Sequence, residues 1–241
     1  MTAERIAGGV FRVLKGYVNA YLVETDAGLF LVDSGMPKKA AKILAGVREL
    51  GKAKAEIRSI LITHHHTDHI GSLAPLVKAT GATVYAPAAD AAIIRGKAKA
   101  PGPNKATFLG KWAGGLVSRF EPKFDHPNVD VEVRDGDVLP VAGQTTVRAI
   151  HTPGHTAGQT SYLLERDGGV LLAGDVAGSL FGKVGPPVSG PIAMFTEDLG
   201  EAKRSFVKLA TFDFEVGCFG HGGVIPRGAS AKLREAARRF G

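Results

Sequence analysis

A dense group of metal-binding side chains lies in one short stretch of the chain. Its pattern is His-x-His-x-Asp-His, formed by His64, His66, Asp68 and His69, directly after the apolar run at residues 59–62. Imidazole nitrogens and carboxylate oxygens are ligands that zinc, manganese and iron accept. If the stretch leaves a strand in extended form, the two-residue period puts His64 and His66 on one side. Asp68 and His69 then follow in the turn, so the spacing predicts two pairs of metal ligands.

A histidine-rich turn can also be exposed to solvent without binding a metal. Other parts of the chain argue against that alternative. Three further strand-like runs each end on a ligand-type side chain, namely His155 in a Gly/Pro turn, Asp175, and His221 among glycines. Open α/β structures place their sites at the carboxyl ends of strands. Four strands that deliver such groups at their ends therefore predict one shared metal site.

With these motifs the chain resembles the metallo-β-lactamase-fold hydrolase superfamily, in particular a short form of its glyoxalase II-like branch. Residues 31–35, Leu-Val-Asp-Ser-Gly, are similar to the superfamily's early Asp-containing turn. The resemblance runs from about Val10 to the last predicted helix. It implies an α/β fold arranged as an αββα four-layer sandwich. We therefore expect a single domain over residues 1–241.

The resemblance further implies two neighbouring metal ions that share one carboxylate. One ion would be held by the imidazoles of His64, His66 and His155. The second would be held by Asp68, His69 and His221. Asp175 would bridge the two. Zinc is the first expectation for these two divalent ions, with manganese or iron as alternatives.

Two such ions would supply the nucleophile for hydrolysis. Coordination lowers the pKa of water from about 15.7 towards about 7, so a bridging hydroxide would form without a Ser or Cys nucleophile. We expect it to attack the carbonyl of an ester, thioester or lactone, while the ions polarise the carbonyl and stabilise the leaving group. Asp68 is the predicted catalytic residue, because its carboxylate can accept or shuttle the released proton. The substrate would be a small molecule.

Departures from family patterns narrow the choice of reaction. Zinc β-lactamases of the commonest subclass carry Cys at the position of Asp175, and flavin-linked di-iron relatives carry Glu at the position of His66. Acyl-homoserine lactonases place a Tyr shortly after the bridging Asp, whereas residues 176–178 are Val-Ala-Gly. No tRNA-binding arm of the RNA-processing members is evident. These reactions are therefore disfavoured.

Glyoxalase II-type thioesterases share all the proposed ligands. Their longer forms add a C-terminal helical domain, whereas only 20 residues follow His221 here. The main alternative to acyl hydrolysis is a mononuclear iron persulfide dioxygenase, which shares the motif. A β-lactamase or nuclease of the same fold is a weaker alternative.

Composition and charge limit the partners and the compartment. The chain is 44% apolar and 22% charged, as globular proteins are. No run approaches the roughly 20 apolar residues of a membrane span, and the N-terminus lacks a signal-peptide core. Cys218 is the only cysteine, so we expect a cytoplasmic protein. The net charge of +7 is scattered without interleaved aromatics, so neither nucleic acid nor a membrane is an expected partner.

Alternating strand and helix patterns predict the elements that carry the ligands. Strand-like runs recur in both halves, near residues 10–14, 18–23, 29–32, 129–133, 145–150, 160–164 and 170–173. A first helix is predicted to open at Pro37 and to end at Gly51. A later helix is predicted to begin with Thr196 as its N-cap. The two halves are of comparable size, with the ligands between them.

Two segments and three polar residues stand outside this scheme. Residues 95–128 mix basic and aromatic side chains, and we expect a lid, a homodimer contact or packing on the protein's own core. The Gly/Pro-rich residues 176–195 would form an apolar pocket wall near the metals. His65 is expected to lie behind the ligands or to face solvent. His151 and Asp33 are candidates for orienting a ligand.

Overall fold

Two β-sheets form the centre of the molecule. The computed structural model describes residues 3–101, 124–141, 146–178, 190 and 193–240. Within these ranges the strands are β1 Glu4–Ala7, β2 Val10–Leu14, β3 Ala20–Thr25, β4 Gly28–Val32, β5 Ile57–Leu61, β6 Thr83–Pro87, β7 Val131–Val133, β8 Val138–Leu139, β9 Val147–His151, β10 Thr160–Leu164, β11 Val170–Leu172 and β12 Val216–Cys218.

Helices connect and cover these strands. In the same part of the chain the α-helices are α1 Ala40–Glu49, α2 Thr67–Ile70, α3 Leu73–Thr80, α4 Ala91–Ile94, α5 Leu199–Leu209 and α6 Ala229–Ala237. Short 3-10 turns occupy Lys54–Glu56 and Ala193–Phe195. No helix among the described residues is long and apolar enough to cross a membrane.

Each sheet combines antiparallel and parallel strand pairs. The described strands of the first sheet follow the order β1-β2-β3-β4-β5-β6-β7, and those of the second follow β12-β11-β10-β9-β8. Strands β4 to β7 are parallel to one another, and β11 is parallel to β12. Parallel strands have their C-terminal ends on the same side of a sheet. The loops after β4 and β5 therefore start side by side, and so do those after β11 and β12.

Alternating side chains of the first sheet pack in two directions. Ile60 belongs to an apolar cluster that also contains Ile43 of α1 and Leu76 of α3. Its neighbour Leu61 belongs to a second cluster, which it shares with Tyr162 of the other sheet. Because successive side chains of a strand point to opposite faces, this sheet is covered by helices on one side and by the second sheet on the other.

The second sheet also packs in two directions. One face lies against the first sheet, and the other face is covered by helices. Leu164 lies in the cluster between the sheets, whereas Leu163 lies in a third cluster with Phe206 of α5 and Leu233 of α6. Three apolar clusters thus separate four layers in the order helix, sheet, sheet, helix. The predicted αββα sandwich is confirmed.

Polar contacts join the two sheets beside the loops that carry the predicted ligands. The Tyr162 hydroxyl donates a hydrogen bond of 2.7 Å to the carbonyl of Ile62, which directly precedes the histidine-rich stretch. On the other side, the Tyr21 hydroxyl donates one of 2.8 Å to the carbonyl of Phe219. Buried tyrosine hydroxyls need such partners. Both bonds hold a ligand loop against the opposite sheet.

Two predicted helix starts were wrong. The first helix begins at Ala40 rather than at Pro37, because Lys38 adopts the left-handed conformation with φ 69° and interrupts the helix. The later helix is capped by Asp198 rather than Thr196, since the Asp198 carboxylate accepts a hydrogen bond from the Glu201 amide. A carboxylate in this position also complements the helix dipole.

Much of the two irregular segments lies outside the described residues. In the segment predicted as a lid or dimer contact, the structure describes only residues 95–101 and 124–128. In the Gly/Pro-rich segment it describes residues 176–178, 190 and 193–195. The roles predicted for both segments, and the single-domain assignment over 1–241, stay predictions.

Helix α5 offers a matched test of the layer packing. Leu209 is fully buried between α5 and the second sheet, whereas Val207 is 37% exposed. We expect Leu209→Ala to lower the free energy of unfolding by about 2–5 kcal/mol, because it leaves a cavity in the core. Val207→Ala should change it by no more than about 0.5 kcal/mol. Urea denaturation followed by circular dichroism measures both, and equal effects would contradict the assigned packing.

Candidate metal centre

The predicted ligands lie in loops that leave the carboxyl ends of strands in both sheets. His64 and His66 follow β5, and helix α2, which carries Asp68 and His69, comes directly after them. The remaining three ligands follow β9, β11 and β12, and they are His155, Asp175 and His221. The structure brings all of them together at one end of the sandwich.

Three imidazoles form the first half of the centre. The ring centroids of His64, His66 and His155 lie 4.6 to 4.8 Å apart in each pairing. The His155 Nε2 atom lies 3.0 Å from the His66 Nδ1 atom. One nitrogen of each ring lies within 4.8 Å of the others, a spacing at which a single ion could bind all three. We call this group the three-histidine half.

The imidazoles of the three-histidine half are uncharged, and this is the form that can bind a cation. Burial, assisted by the neighbouring imidazoles, holds the pKa values of His64 and His66 well below the ordinary value. Burial likewise lowers the pKa of His155 to about 4. These rings are therefore neutral at pH 7, and a neutral imidazole has the nitrogen lone pair that a metal ion requires.

A carboxylate and two imidazoles form the second half. The Asp68 Oδ2 atom lies 3.3 Å from the His221 Nε2 atom and 3.9 Å from the His69 Nε2 atom. Burial disfavours the charged form of Asp68, but the His69 and His221 imidazoles outweigh it and lower the pKa of this carboxyl. Asp68 is therefore ionised at neutral pH. We call this group the carboxylate half.

Asp175 lies between the two halves. Its Oδ2 atom is 3.4 Å from His155 Nε2 on one side and 3.0 Å from His221 Nε2 on the other. Its Oδ1 atom is 3.5 Å from His69 Nε2. Burial opposes ionisation, but His69 and His221 hold the pKa of Asp175 well below its usual range. One buried carboxylate thus contacts predicted ligands of both halves.

Several buried polar atoms at the centre lack a hydrogen-bond partner. Among the described residues these atoms include His64 Nε2, His69 Nε2 and Asp175 Oδ1. Buried polar atoms in proteins are nearly always paired, so a group of unpaired ones needs an explanation. Imidazole nitrogens and carboxylate oxygens are also the donor set that zinc and similar ions accept. The residues present therefore fit a pair of divalent ions, and the ligand roles stay a prediction.

Asp33 contacts the ring of His69, one of the predicted ligands. Its Oδ2 atom accepts a hydrogen bond of 2.8 Å from His69 Nδ1, which leaves Nε2 directed at the centre. The same carboxylate accepts bonds from the amide and the hydroxyl of Thr63, at 2.9 Å each. Such partners fix the tautomer and direction of metal-binding histidines.

Two other predictions about the histidines have different outcomes. His65 takes the first of its two expected positions, behind the predicted ligands, and does not face solvent: it is 4% exposed, and its Nδ1 atom lies 3.0 Å from the Asp90 carboxylate. His151 directs its Nε2 atom to the carbonyl of Ala157, at 3.0 Å, rather than to a ligand side chain.

Sequence reasoning missed three residues around the centre. Asp90 and Glu197 contact the loops of the three-histidine half. Tyr17 accepts a hydrogen bond from His221 Nδ1 through its carbonyl, and its ring packs edge-on against that imidazole with centroids 5.1 Å apart. Asp90 had a usable signal, because it follows an apolar strand as the ligands do. Tyr17 and Glu197 had none, since only folding brings them to the centre.

The family model for the metallo-beta-lactamase superfamily matches residues 13–221, which include every predicted ligand. The chain belongs to the metallo-beta-lactamase superfamily. The match covers strands β3 to β12 and ends at His221, the last predicted ligand. The resemblance seen in the motifs is thereby confirmed.

Individual relatives agree with this membership. The "Probable metallo-hydrolase YflN" of Bacillus subtilis is 29% identical over 97% of this chain and 92% of its own length. A "Hydroxyacylglutathione hydrolase" of Rhodopseudomonas palustris is 31% identical over 68% of this chain, which corresponds to 49% of that protein. The solved subclass B3 metallo-beta-lactamase BJP-1 of Bradyrhizobium japonicum has a TM-score of 0.72 at 24% identity, covering 100% of this chain and 90% of that one. The last similarity shows the fold alone.

Two glycines beside His221 provide a matched test of the site geometry. A Cβ atom at Gly220 would overlap the Asp175 carboxylate and lie 2.8 Å from the His69 ring, whereas one at Gly223 would meet nothing within 4 Å. We expect Gly220→Ala to weaken metal binding about tenfold or more, as displaced supporting groups do. Gly223→Ala should bind metal like the unchanged protein. Competition with a chelator, read by elemental analysis, measures both, and equal affinities would contradict the geometry.

Proposed function

We propose that the protein is a dinuclear metal-dependent hydrolase of esters, thioesters or lactones. The observation that carries this proposal is the position of Asp175, whose carboxylate lies within 3.4 Å of imidazole nitrogens from both halves of the centre. A single metal ion in either half would leave the other half's buried nitrogens and oxygens unpaired. Two divalent ions, with zinc as the first expectation, would satisfy them together.

The bound ions would supply a nucleophilic water near neutral pH and polarise the substrate carbonyl, as metal ions do in hydrolases. The chain's own residues would hold these ions apart at a fixed distance. The three-histidine half has no carboxylate of its own, whereas Asp68 adds a negative charge to the carboxylate half, and Asp175 is shared by both. The two positions are therefore unequal, and the carboxylate half would bind its cation with stronger electrostatic attraction.

Asp68 is the proposed catalytic residue. Its side chain is 16% exposed, compared with 8% for Asp175, so it is the more accessible carboxylate of the centre. An ionised carboxylate has the lone pairs that accept a proton. It would take the proton released when water adds to the carbonyl and pass it to the leaving group.

The similarities favour thioesters within the acyl class. The R. palustris relative named hydroxyacylglutathione hydrolase is 31% identical, and this chain spans 49% of its length. The β-lactamase neighbour at 24% identity supports the fold only. A persulfide dioxygenase would use one iron, which the dinuclear arrangement around Asp175 does not favour.

Asp175→Ala tests the dinuclear assignment. We expect the variant to lose metal and at least about a hundredfold of the hydrolytic rate, because ligands of both halves lose their shared carboxylate. His126→Ala is the control, since this exposed loop histidine directs its ring to the carbonyl of Ile94 at 2.9 Å, away from the centre. Metal content and hydrolysis are measured on both. An Asp175→Ala protein with full metal content and an unchanged rate would reject the assignment.

A substrate panel tests the acyl-hydrolase assignment. Zinc-loaded protein is assayed with a thioester, a lactone, an aryl ester, a phosphodiester and a β-lactam. We expect turnover of the thioester or another acyl substrate that disappears on treatment with a chelator and returns with zinc. Iron-loaded protein with a persulfide and oxygen gives the comparison for the dioxygenase. Activity confined to the phosphodiester, the β-lactam or the persulfide would overturn the proposal.

A further inference from the structure

A fully buried carboxylate that is not one of the ligands lies beside the three-histidine half. Asp90 lies three residues after the end of strand β6 and is 1% exposed. Burial disfavours its charged form, but hydrogen bonding to His65 and Thr156 outweighs this and lowers its pKa. An ionised carboxylate in the interior requires several donors. The identity of those donors indicates what it does.

One set of donors belongs to the histidine-rich stretch. The Asp90 Oδ2 atom accepts a hydrogen bond of 2.9 Å from the backbone amide of His65. The His65 side chain lies against the same oxygen, with Nδ1 at 3.0 Å. Because His65 separates His64 from His66, these contacts fix the backbone between two ligands of the three-histidine half.

The other donors belong to the loop that carries the third ligand. The Thr156 hydroxyl donates a bond of 2.8 Å to Asp90 Oδ2, and the Gly158 amide donates one of 2.8 Å to Oδ1. Thr156 is adjacent to His155. The approach is close enough that a Cβ atom on Gly158 would lie 2.5 Å from the Asp90 carboxylate. One carboxylate therefore joins the two loops that supply all three imidazoles.

A second carboxylate extends this connection without being fully buried. The Glu197 Oε2 atom accepts a hydrogen bond of 3.0 Å from the Ala157 amide, and the Glu197 amide donates one of 3.1 Å to the carbonyl of His155. Its Oε1 atom lies 3.9 Å from His65 Nε2. The His65 ring thus lies between two carboxylates, and Asp90 is the nearer of the two.

We propose that Asp90 is a positioning residue for the three-histidine half, as Asp33 is for His69 in the carboxylate half. The inference rests on the proposed function, because it assigns Asp90 a role towards a bound metal ion. Without Asp90, two loops that are far apart in sequence would lose their common charged acceptor. Their imidazoles would then no longer converge at one point. The site predicted to suffer is therefore the three-histidine half alone.

Asp90→Asn is the principal test, with Asp33→Asn as its matched control. The amide keeps the shape of the side chain but loses the charge and places an NH₂ group where donors already lie. We expect Asp90→Asn to weaken one of two Zn²⁺ sites about tenfold to a hundredfold, the range typical of groups that orient metal ligands. Asp33→Asn should weaken the other. Calorimetric titration with Zn²⁺ measures affinity, and Co²⁺ absorption distinguishes the sites.

The outcomes separate this inference from the proposed function. It is supported if the two variants lose different features of the Co²⁺ spectrum while each retains the remaining one. It is overturned if Asp90→Asn binds both ions as tightly as the unchanged protein, or if both variants lose the same feature. Failure of the unchanged protein to bind Zn²⁺ would overturn the proposed function as well.

Thr156→Val tests the role proposed for Asp90 if the Asp90→Asn variant does not fold. This substitution removes one donor to Asp90 and keeps the side-chain volume. We expect a smaller loss of affinity at the same site that Asp90 is proposed to support, with circular dichroism unchanged. Unchanged affinity at both sites in folded Thr156→Val would also overturn the inference.

Discussion

The structure around the candidate site depends on one buried carboxylate among imidazoles. Asp175 is ionised in a buried position, where an unpaired charge would be too costly to keep. His155, His69 and His221 surround it from three different loops, at 3.0 to 3.5 Å. Every element that delivers these rings must therefore meet at one point. That requirement explains why both sheets end at the same place.

The four-layer sandwich meets this requirement through its strand directions. In parallel pairs such as β4 with β5 and β11 with β12, the loops leave the C-terminal ends of neighbouring strands on the same side of the sheet. Packing the two sheets face to face brings these loops together. The bonds from Tyr162 to Ile62 and from Tyr21 to Phe219 hold the ligand loops across the interface. Asp33 then holds the His69 ring in the carboxylate half, and Asp90 holds the backbone beside the imidazoles of the three-histidine half.

Much of this could be predicted from the sequence because ligands and strands carry local signals. The apolar runs indicated where the strands lie. His64 and Asp175 each follow shortly after one of these runs. Apart from the start of the first helix, which the local conformation of Lys38 sets, what could not be predicted depended on contacts between distant residues. Asp198 rather than Thr196 caps the helix that follows. The Thr196 hydroxyl instead lies 3.4 Å from His155 Nδ1. The burial of His65 depends likewise on Asp90, which is 25 positions away in the chain.

Anomalous X-ray diffraction from crystals of the metal-loaded protein tests the central claim most directly. Data collected on both sides of the zinc absorption edge locate the ions independently of the fold. Two anomalous peaks are predicted, one beside His64, His66 and His155 and one beside Asp68, His69 and His221. The Asp175 carboxylate should lie between them. A single peak, or peaks coordinated by other residues, would contradict the dinuclear centre.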